Sequence, residues 1–213
     1  DVTVEMEVHF IQEDRKAPSV LGVIPGKHPE LKHEYIIVGG HLDHLGEGLD
    51  GAVYNGADDN AGSIGVILEI ARVIQANHFK PDRSLVFAAW AGEELGLIGS
   101  RYYVEHPLYP LDKTVVYMNM DMVGTGDLDL YVGGMWDFSE FFSLLKENMK
   151  NKFKKRLKYR IDYRGSDHSA FLPKGVTCIS LRSGNVLTRE LDDEHPEYHR
   201  PGDRPEIIKP ELL

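Results

Sequence analysis

The stretch Tyr35-Ile-Ile-Val-Gly-Gly40 carries no polar face: it is β-branched and apolar up to its two glycines. A strand that faces water on one side alternates, so one without alternation is expected to be covered on both sides. Beyond it, from Asn60 to Asn77, apolar residues recur at 64, 67, 68, 71 and 74, the stripe of a helix with one buried face. A doubly buried strand followed by an amphipathic helix is the repeating unit of a parallel sheet sandwiched between helices.

Outward from there the unit repeats. Ser84-Leu-Val-Phe-Ala-Ala-Trp90 and Thr114-Val-Val-Tyr-Met-Asn-Met120 read as two more buried strands, Leu128–Val132 as a short one and Thr177-Cys-Ile-Ser-Leu181 as the last. Helices are expected over about Gly96–Glu105, stopped by Pro107, and from Phe138 to about Arg156, where basic residues suit the C-terminal end of the dipole. Gly175 closes another short helix. Towards the N-terminus, Val20–Ile24 reads as a strand ended by Pro25-Gly26, and residues 1–10 alternate like a half-buried strand. From Arg182 onward the chain is polar, contains Pro196, Pro201 and Pro205, and reads as loop. The expected fold is α/β: three layers, a mostly parallel mixed sheet with helices on both faces, in one domain over residues 1–213. Asp1 is not an initiator methionine and Pro210-Glu-Leu-Leu213 stops where a helix would start. The chain is therefore expected to be part of a longer one, with residues 1–10 following an upstream segment or inserted domain.

Composition excludes several classes. A net charge of −10 argues against a nucleic-acid surface, which needs a basic face. No apolar run approaches the roughly 20 residues of a membrane span. The single cysteine, Cys178, sits inside the apolar run Val176–Leu181 and reads as a small buried hydrophobe rather than a nucleophile.

In open parallel sheets, ligands bind beyond the C-terminal ends of the strands. At those ends this chain carries His41-Leu-Asp43, Ala91-Gly-Glu93-Glu94 and Asp121, and Asn55-Gly-Ala-Asp58-Asp59-Asn60 precedes the first helix. Each residue alone has a plain explanation: a strand-end histidine, a solvated acidic pair, a helix cap. Together, four segments bring carboxylates and imidazole to one rim, and such a cluster is costly unless a cation neutralises it. Imidazole and carboxylate without thiolate suit catalytic zinc, and also manganese or cobalt.

At this point the sequence resembles the M28 family of metallopeptidases, two-zinc aminopeptidases with a phosphorylase-like α/β core. The matching segments are Gly40-His-Leu-Asp-His44, Asn55-Gly-Ala-Asp-Asp-Asn60, Trp90-Ala-Gly-Glu-Glu-Leu-Gly96, Asn119-Met-Asp121, Gly165-Ser-Asp-His-Ser-Ala-Phe171 and Tyr198-His199. The resemblance implies that His41, Asp58 and Asp121 bind one zinc and that Asp58, Glu94 and His199 bind a second, with Asp58 as the bridge. It implies Glu93 as general base, taking a proton from a metal-activated water and passing it to the leaving amine. Asp43 would accept a hydrogen bond from His41, and Tyr163 would donate to the tetrahedral oxyanion. His44, His168 and His195 are expected to stay outside the metal set. His195, four residues before His199 and followed by Pro196, is expected to face solvent.

The function this implies is a metal-dependent exopeptidase, foremost an aminopeptidase acting on peptides with a free N-terminus. Two alternatives share the core: a glutaminyl-cyclase-like acyltransferase with one zinc, and an inactive binding module. Some relatives release C-terminal residues and grip the terminal carboxylate with basic side chains, for which Arg164, Arg182 and Arg189 are the candidates here. An acidic rim better suits a free amine. A secreted, periplasmic or cell-surface location is the expectation that goes with the resemblance.

Overall fold

The computed structural model describes residues 3–7, 15–127, 129–134, 137–159, 165–184 and 195–211. Its strands are β1 (Val20–Ile24), β2 (Tyr35–His41), β3 (Gly46–Glu47), β4 (Val53–Tyr54), β5 (Ser84–Trp90), β6 (Thr114–Met120), β7 (Leu130–Gly133), β8 (Leu157–Tyr159) and β9 (Cys178–Ser183). Its helices are α1 (Ser63–Ala76), α2 (Ile98–Glu105), α3 (Ser139–Asn148), α4 (Asn151–Lys154) and α5 (His168–Phe171). Seven strands form one sheet in the order β1-β5-β2-β6-β9-β7-β8, and β3 and β4 pair as a separate ribbon. β5, β2, β6 and β9 run parallel to one another. β1 lies antiparallel on β5, and β7 antiparallel on β9. The sheet is mixed and mostly parallel, as the sequence pattern requires.

Consecutive residues of the central strands supply opposite faces. Ile37, Val86 and Cys178 pack with Trp90, Tyr103 and Phe171, beneath α2 and α5. Their neighbours Val38, Phe87 and Ile179 pack with Ile67 of α1 and Phe142 of α3. Two apolar clusters separated by one sheet make three layers, and they explain why β2 and β5 show no alternation. Cys178 is free and buried, as its setting predicts. Gly40 has a steric role: a Cβ there would lie 2.5 Å from the Met120 carbonyl oxygen, so glycine lets β2 and β6 close up beneath the site.

Three expectations are corrected. Residues 3–7 are exposed and form no strand, and the rest of the segment 1–10 lies outside the described residues. Alternation alone makes no strand: that takes a partner strand in register, and residues 3–7 have none among the described residues. The helix expected from Phe138 to Arg156 is two, because Met149 and Lys150 are extended, with ψ of 145° and 144°. Asn148 caps the first by donating its side-chain amide to the Leu144 carbonyl at 2.8 Å. The last strand also runs two residues further than expected, so Arg182 and Ser183 belong to β9 and are buried.

Candidate metal centre

The site lies beyond the C-terminal ends of β2, β5 and β6. His41 ends β2 and is fully buried. Its Nδ1 donates to the Asp43 carbonyl oxygen at 3.0 Å, which leaves Nε2 to face the cluster. That is a correction: Asp43 orients His41 through its main chain. The Asp43 carboxylate instead accepts the backbone N–H groups of Glu93 (3.1 Å) and Glu94 (3.2 Å), fixing the turn that follows β5.

The carboxylate at the centre is Asp59. Its Oδ1 lies 3.1 Å from His41 Nε2, and its Oδ2 lies 3.3 Å from His199 Nε2. Asp121 Oδ1 is 3.6 Å from His41 Nε2, and Glu94 Oε2 is 3.1 Å from His199 Nε2. Asp58, expected as the bridge, points away from this cluster. Its Oδ1 accepts the Gly124 N–H at 2.8 Å, and its Oδ2 faces the Thr125 hydroxyl and His195 Nδ1, the latter at 2.8 Å. The physical reason is local backbone geometry. The chain is not helical at Asp59 (φ −109°, ψ 80°) or Asn60 (φ −142°, ψ 27°), so neighbouring side chains diverge. Asn60 pins the turn by donating to the Met120 carbonyl oxygen (3.0 Å) and accepting the Met122 N–H (3.1 Å). Gly56, at φ 66°, starts the turn, and a Cβ there would lie 2.4 Å from the Asp59 carbonyl oxygen.

Two histidines depart from expectation. His44 Nδ1 is 2.8 Å from Glu94 Oε1 and 3.8 Å from Asp59 Oδ2, and its ring meets that of His199 edge-on at 5.6 Å. It thus sits beside the cluster. His195 does not face solvent: it is 2% exposed and held against Asp58. Tyr163, Arg164 and Arg189 lie outside the described residues.

Electrostatics show what the cluster lacks. Burial alone would push His41 down, but its contacts with Asp121 and Asp59 outweigh that and hold it well above its ordinary value. Burial likewise opposes ionisation of Asp59 and Asp121. Contact with His199 and His41 in the first case, and with His41 in the second, nonetheless holds both carboxyls below the usual range. His199 is raised by its contact with Asp59. Positive charge at this spot is therefore favoured by the carboxylates on every side. For Glu93 burial dominates: it outweighs the favourable charge of His41 and, with Asp121 and Asp167 nearby, pushes the carboxyl up to about 8. His41, Asp59, Glu93, Glu94, Asp121 and His199 all line one cleft of about 290 Å³.

The donors fit zinc. Bonds of roughly 2.0–2.1 Å in tetrahedral geometry place ligand atoms about 3.3 Å apart. The separations here are 3.1–3.6 Å. Asp121 Oδ1 is also buried without a hydrogen-bond partner, as an oxygen reserved for a cation would be.

Residues 19–213 match the family model described as peptidase family M28. The chain belongs to peptidase family M28. Among curated relatives, this M28 chain is 30% identical to a glutamate carboxypeptidase 2 homolog of Caenorhabditis elegans, over 92% of its own length and 27% of the relative's. It is 31% identical to aminopeptidase YwaD of Bacillus subtilis, over 88% of its length and 39% of that protein. A solved zinc aminopeptidase from Bacillus subtilis superposes with a TM-score of 0.69 at 29% identity, covering 91% of this chain and 46% of the other. The M28 chain therefore spans between about a quarter and a half of the length of these proteins. No helix among the described residues is long and apolar enough to cross a membrane.

Proposed function

We propose that this chain is the catalytic part of a two-zinc aminopeptidase that releases N-terminal residues from peptides. The observation that carries the reading is Asp59: each of its two oxygens faces a different imidazole, His41 on one side and His199 on the other. His41, Asp59 and Asp121 would hold one zinc, and Asp59, Glu94 and His199 the other. When bound there, zinc supplies a Lewis acid for the scissile carbonyl and a lowered pKa for water.

The protein's own groups do the rest. Glu93 stands in the same cleft, its backbone fixed by Asp43, and takes up and returns one proton at its carboxylate. Burial raises its proton affinity, which suits a group that must keep the proton until the amine leaves. Tyr198 lines the cleft, and burial together with Asp59 and Asp121 raises its hydroxyl, so it stays protonated and able to donate to a developing oxyanion. Tyr163, expected in that role, lies outside the described residues. The acidic lining favours a substrate's free α-amino group, and YwaD and the Bacillus zinc aminopeptidase carry aminopeptidase names.

One observation favours a second reading, release of C-terminal residues: Arg182, 7% exposed, lines the same cleft and lies within reach of a substrate carboxylate. A single peptide pair separates the two. The full-length protein loaded with zinc is given a tetrapeptide with a free N-terminus and the same peptide N-acetylated, and products are identified by mass. Loss of the N-terminal residue from the free peptide alone is expected. Trimming of the acetylated peptide from its C-terminus would replace the aminopeptidase reading.

A further inference from the structure

Residues 195–203 form a strap across the turn that carries Asp59, and it is tied down at both ends. At one end His195 lies buried, with Nδ1 2.8 Å from Asp58 Oδ2 and 2.7 Å from the Thr125 hydroxyl, and Nε2 3.0 Å from the Ser183 carbonyl oxygen. At the other end the Asp203 carboxylate accepts the backbone N–H groups of Asp58 (2.7 Å) and Asp59 (3.0 Å), and its carbonyl accepts that of Ala57 (3.2 Å). Asp203 is 1% exposed. Between the ties, Asn55 donates to the Pro201 carbonyl oxygen at 2.9 Å. The strap is folded on itself by hydrogen bonds from Tyr198 N–H to the His195 carbonyl oxygen and from Arg200 N–H to that of Glu197, both 3.0 Å.

His199 is at the middle of this strap and adopts φ 54°. A side chain with a Cβ is strained by about 1–2 kcal/mol in that left-handed region, and such a conformation persists only where its surroundings over-determine it. The His199 ring stacks on Tyr198 at 3.9 Å and its Nε2 faces Asp59 and Glu94, but Tyr198 moves with the strap, so holding the backbone in place falls to the ties at the strap's ends.

We propose that His195, through Asp58, is a positioning residue: it fixes the strap so that the His199 imidazole meets Asp59 and Glu94 at the spacing a second metal ion requires. Asp58 and Asp59 then divide the work of one turn. Asp59 faces the ions, and its neighbour anchors the segment that brings the last imidazole to them. His41 and Asp121 stand on β2 and just beyond β6, so at the other metal position only the shared Asp59 is tied to the strap, through its N–H to Asp203, and that position depends on the strap less. The proposal rests on the two-zinc reading above.

Zinc titration of the full-length protein against a chromophoric chelator tests it, with the wild type, His195→Ala and His195→Asn. An asparagine amide stands close to where Nδ1 stands and can still donate to Asp58. His195→Ala is expected to weaken one of the two zinc ions by roughly 10–100-fold, the effect typical of losing a group that orients a ligand, and to leave the other within about twofold. His195→Asn is expected to recover most of the loss. Unchanged affinities in His195→Ala overturn the proposal. So does an equal weakening of both ions that His195→Asn does not repair, because that is general destabilisation. Should His195→Ala not fold, Asp58→Asn, which replaces one of the two accepting oxygens of the anchor with an amide donor, must give the same one-sided loss. A wild type that binds fewer than two zinc ions overturns the two-zinc reading, and the strap's role with it.

Discussion

Asp167→Asn isolates a buried carboxyl beside the site that has no compensating cation of its own. Asp167 lies directly before α5 and is 0% exposed. Neither of its oxygens receives a well-directed hydrogen bond among the described residues. Ser100, whose hydroxyl is the nearest help, turns that hydroxyl to the Leu97 carbonyl oxygen at 3.3 Å. Burial, with Asp121 and Asp43 nearby, raises the carboxyl from its ordinary 3.8 to about 7. Between those values the folded chain holds a proton that the unfolded chain has released, so stability falls as pH rises through the window and is level above it. At about 1.4 kcal/mol per unit, tapering as pH reaches the raised value, the loss between pH 5 and pH 8 stays under about 3 kcal/mol, an upper figure because burial effects relax. Asparagine has the same shape and no charge. Its amide is itself left without good partners, a pH-independent cost of about 1–3 kcal/mol. Urea unfolding of chelator-treated wild type and Asp167→Asn at pH 5, 6, 7 and 8 should therefore give stability curves that converge or cross as pH rises. The wild type should lose about 3 kcal/mol relative to the variant, nearly all of it below pH 7. Curves that stay parallel would show that Asp167 titrates alike in both states, and the argument from its burial would be wrong.

Two further expectations concern the metal centre. Glu93→Ala should keep the fold and both zinc ions while lowering kcat by at least the ~10²–10⁴ that proton transfer contributes, with Glu93→Asp between; near-normal turnover would remove Glu93 from the reaction. Asp59→Ala should lose both ions on dialysis, whereas Asp58→Ala should keep the one at His41 and Asp121; the reverse pattern in metal analysis would return the bridge to Asp58.

The fold was legible because its strands have no polar face and its helices have one. Ile37 and Val38, or Val86 and Phe87, must be buried on opposite sides, and only a covered sheet allows it. His41, Glu93, Glu94 and Asp121 could be singled out for the same reason: they stand where strands end, and ends are visible in a sequence. The break at Met149–Lys150 had only a weak signal, Asn148 and Asn151 on either side of it, within a stretch whose apolar spacing continues across it. Nor does alternation at residues 1–10 say whether a sheet edge is free to receive it.

Choosing between Asp58 and Asp59 needs information of a different kind. Both are acidic, both are buried, and both precede the same helix, so type, burial and position leave them equal. They are separated by side-chain partners remote in the chain: His195, 137 residues away, for Asp58, and His41 and His199 for Asp59. The same fact accounts for His195. A histidine before proline in a polar stretch reads as a surface residue until the buried carboxylate that receives it is known. Each error therefore contains the other. Had His195 been recognised as the partner of Asp58, Asp58 would have been withdrawn from the metal set, and Asp59 would have been left as the one carboxylate of that turn free to face both imidazoles. A second acidic residue beside a candidate bridging carboxylate, and a second histidine a turn before the candidate ligand, are thus better read together, as a pair facing the cleft and a pair facing each other, than as rivals for one position.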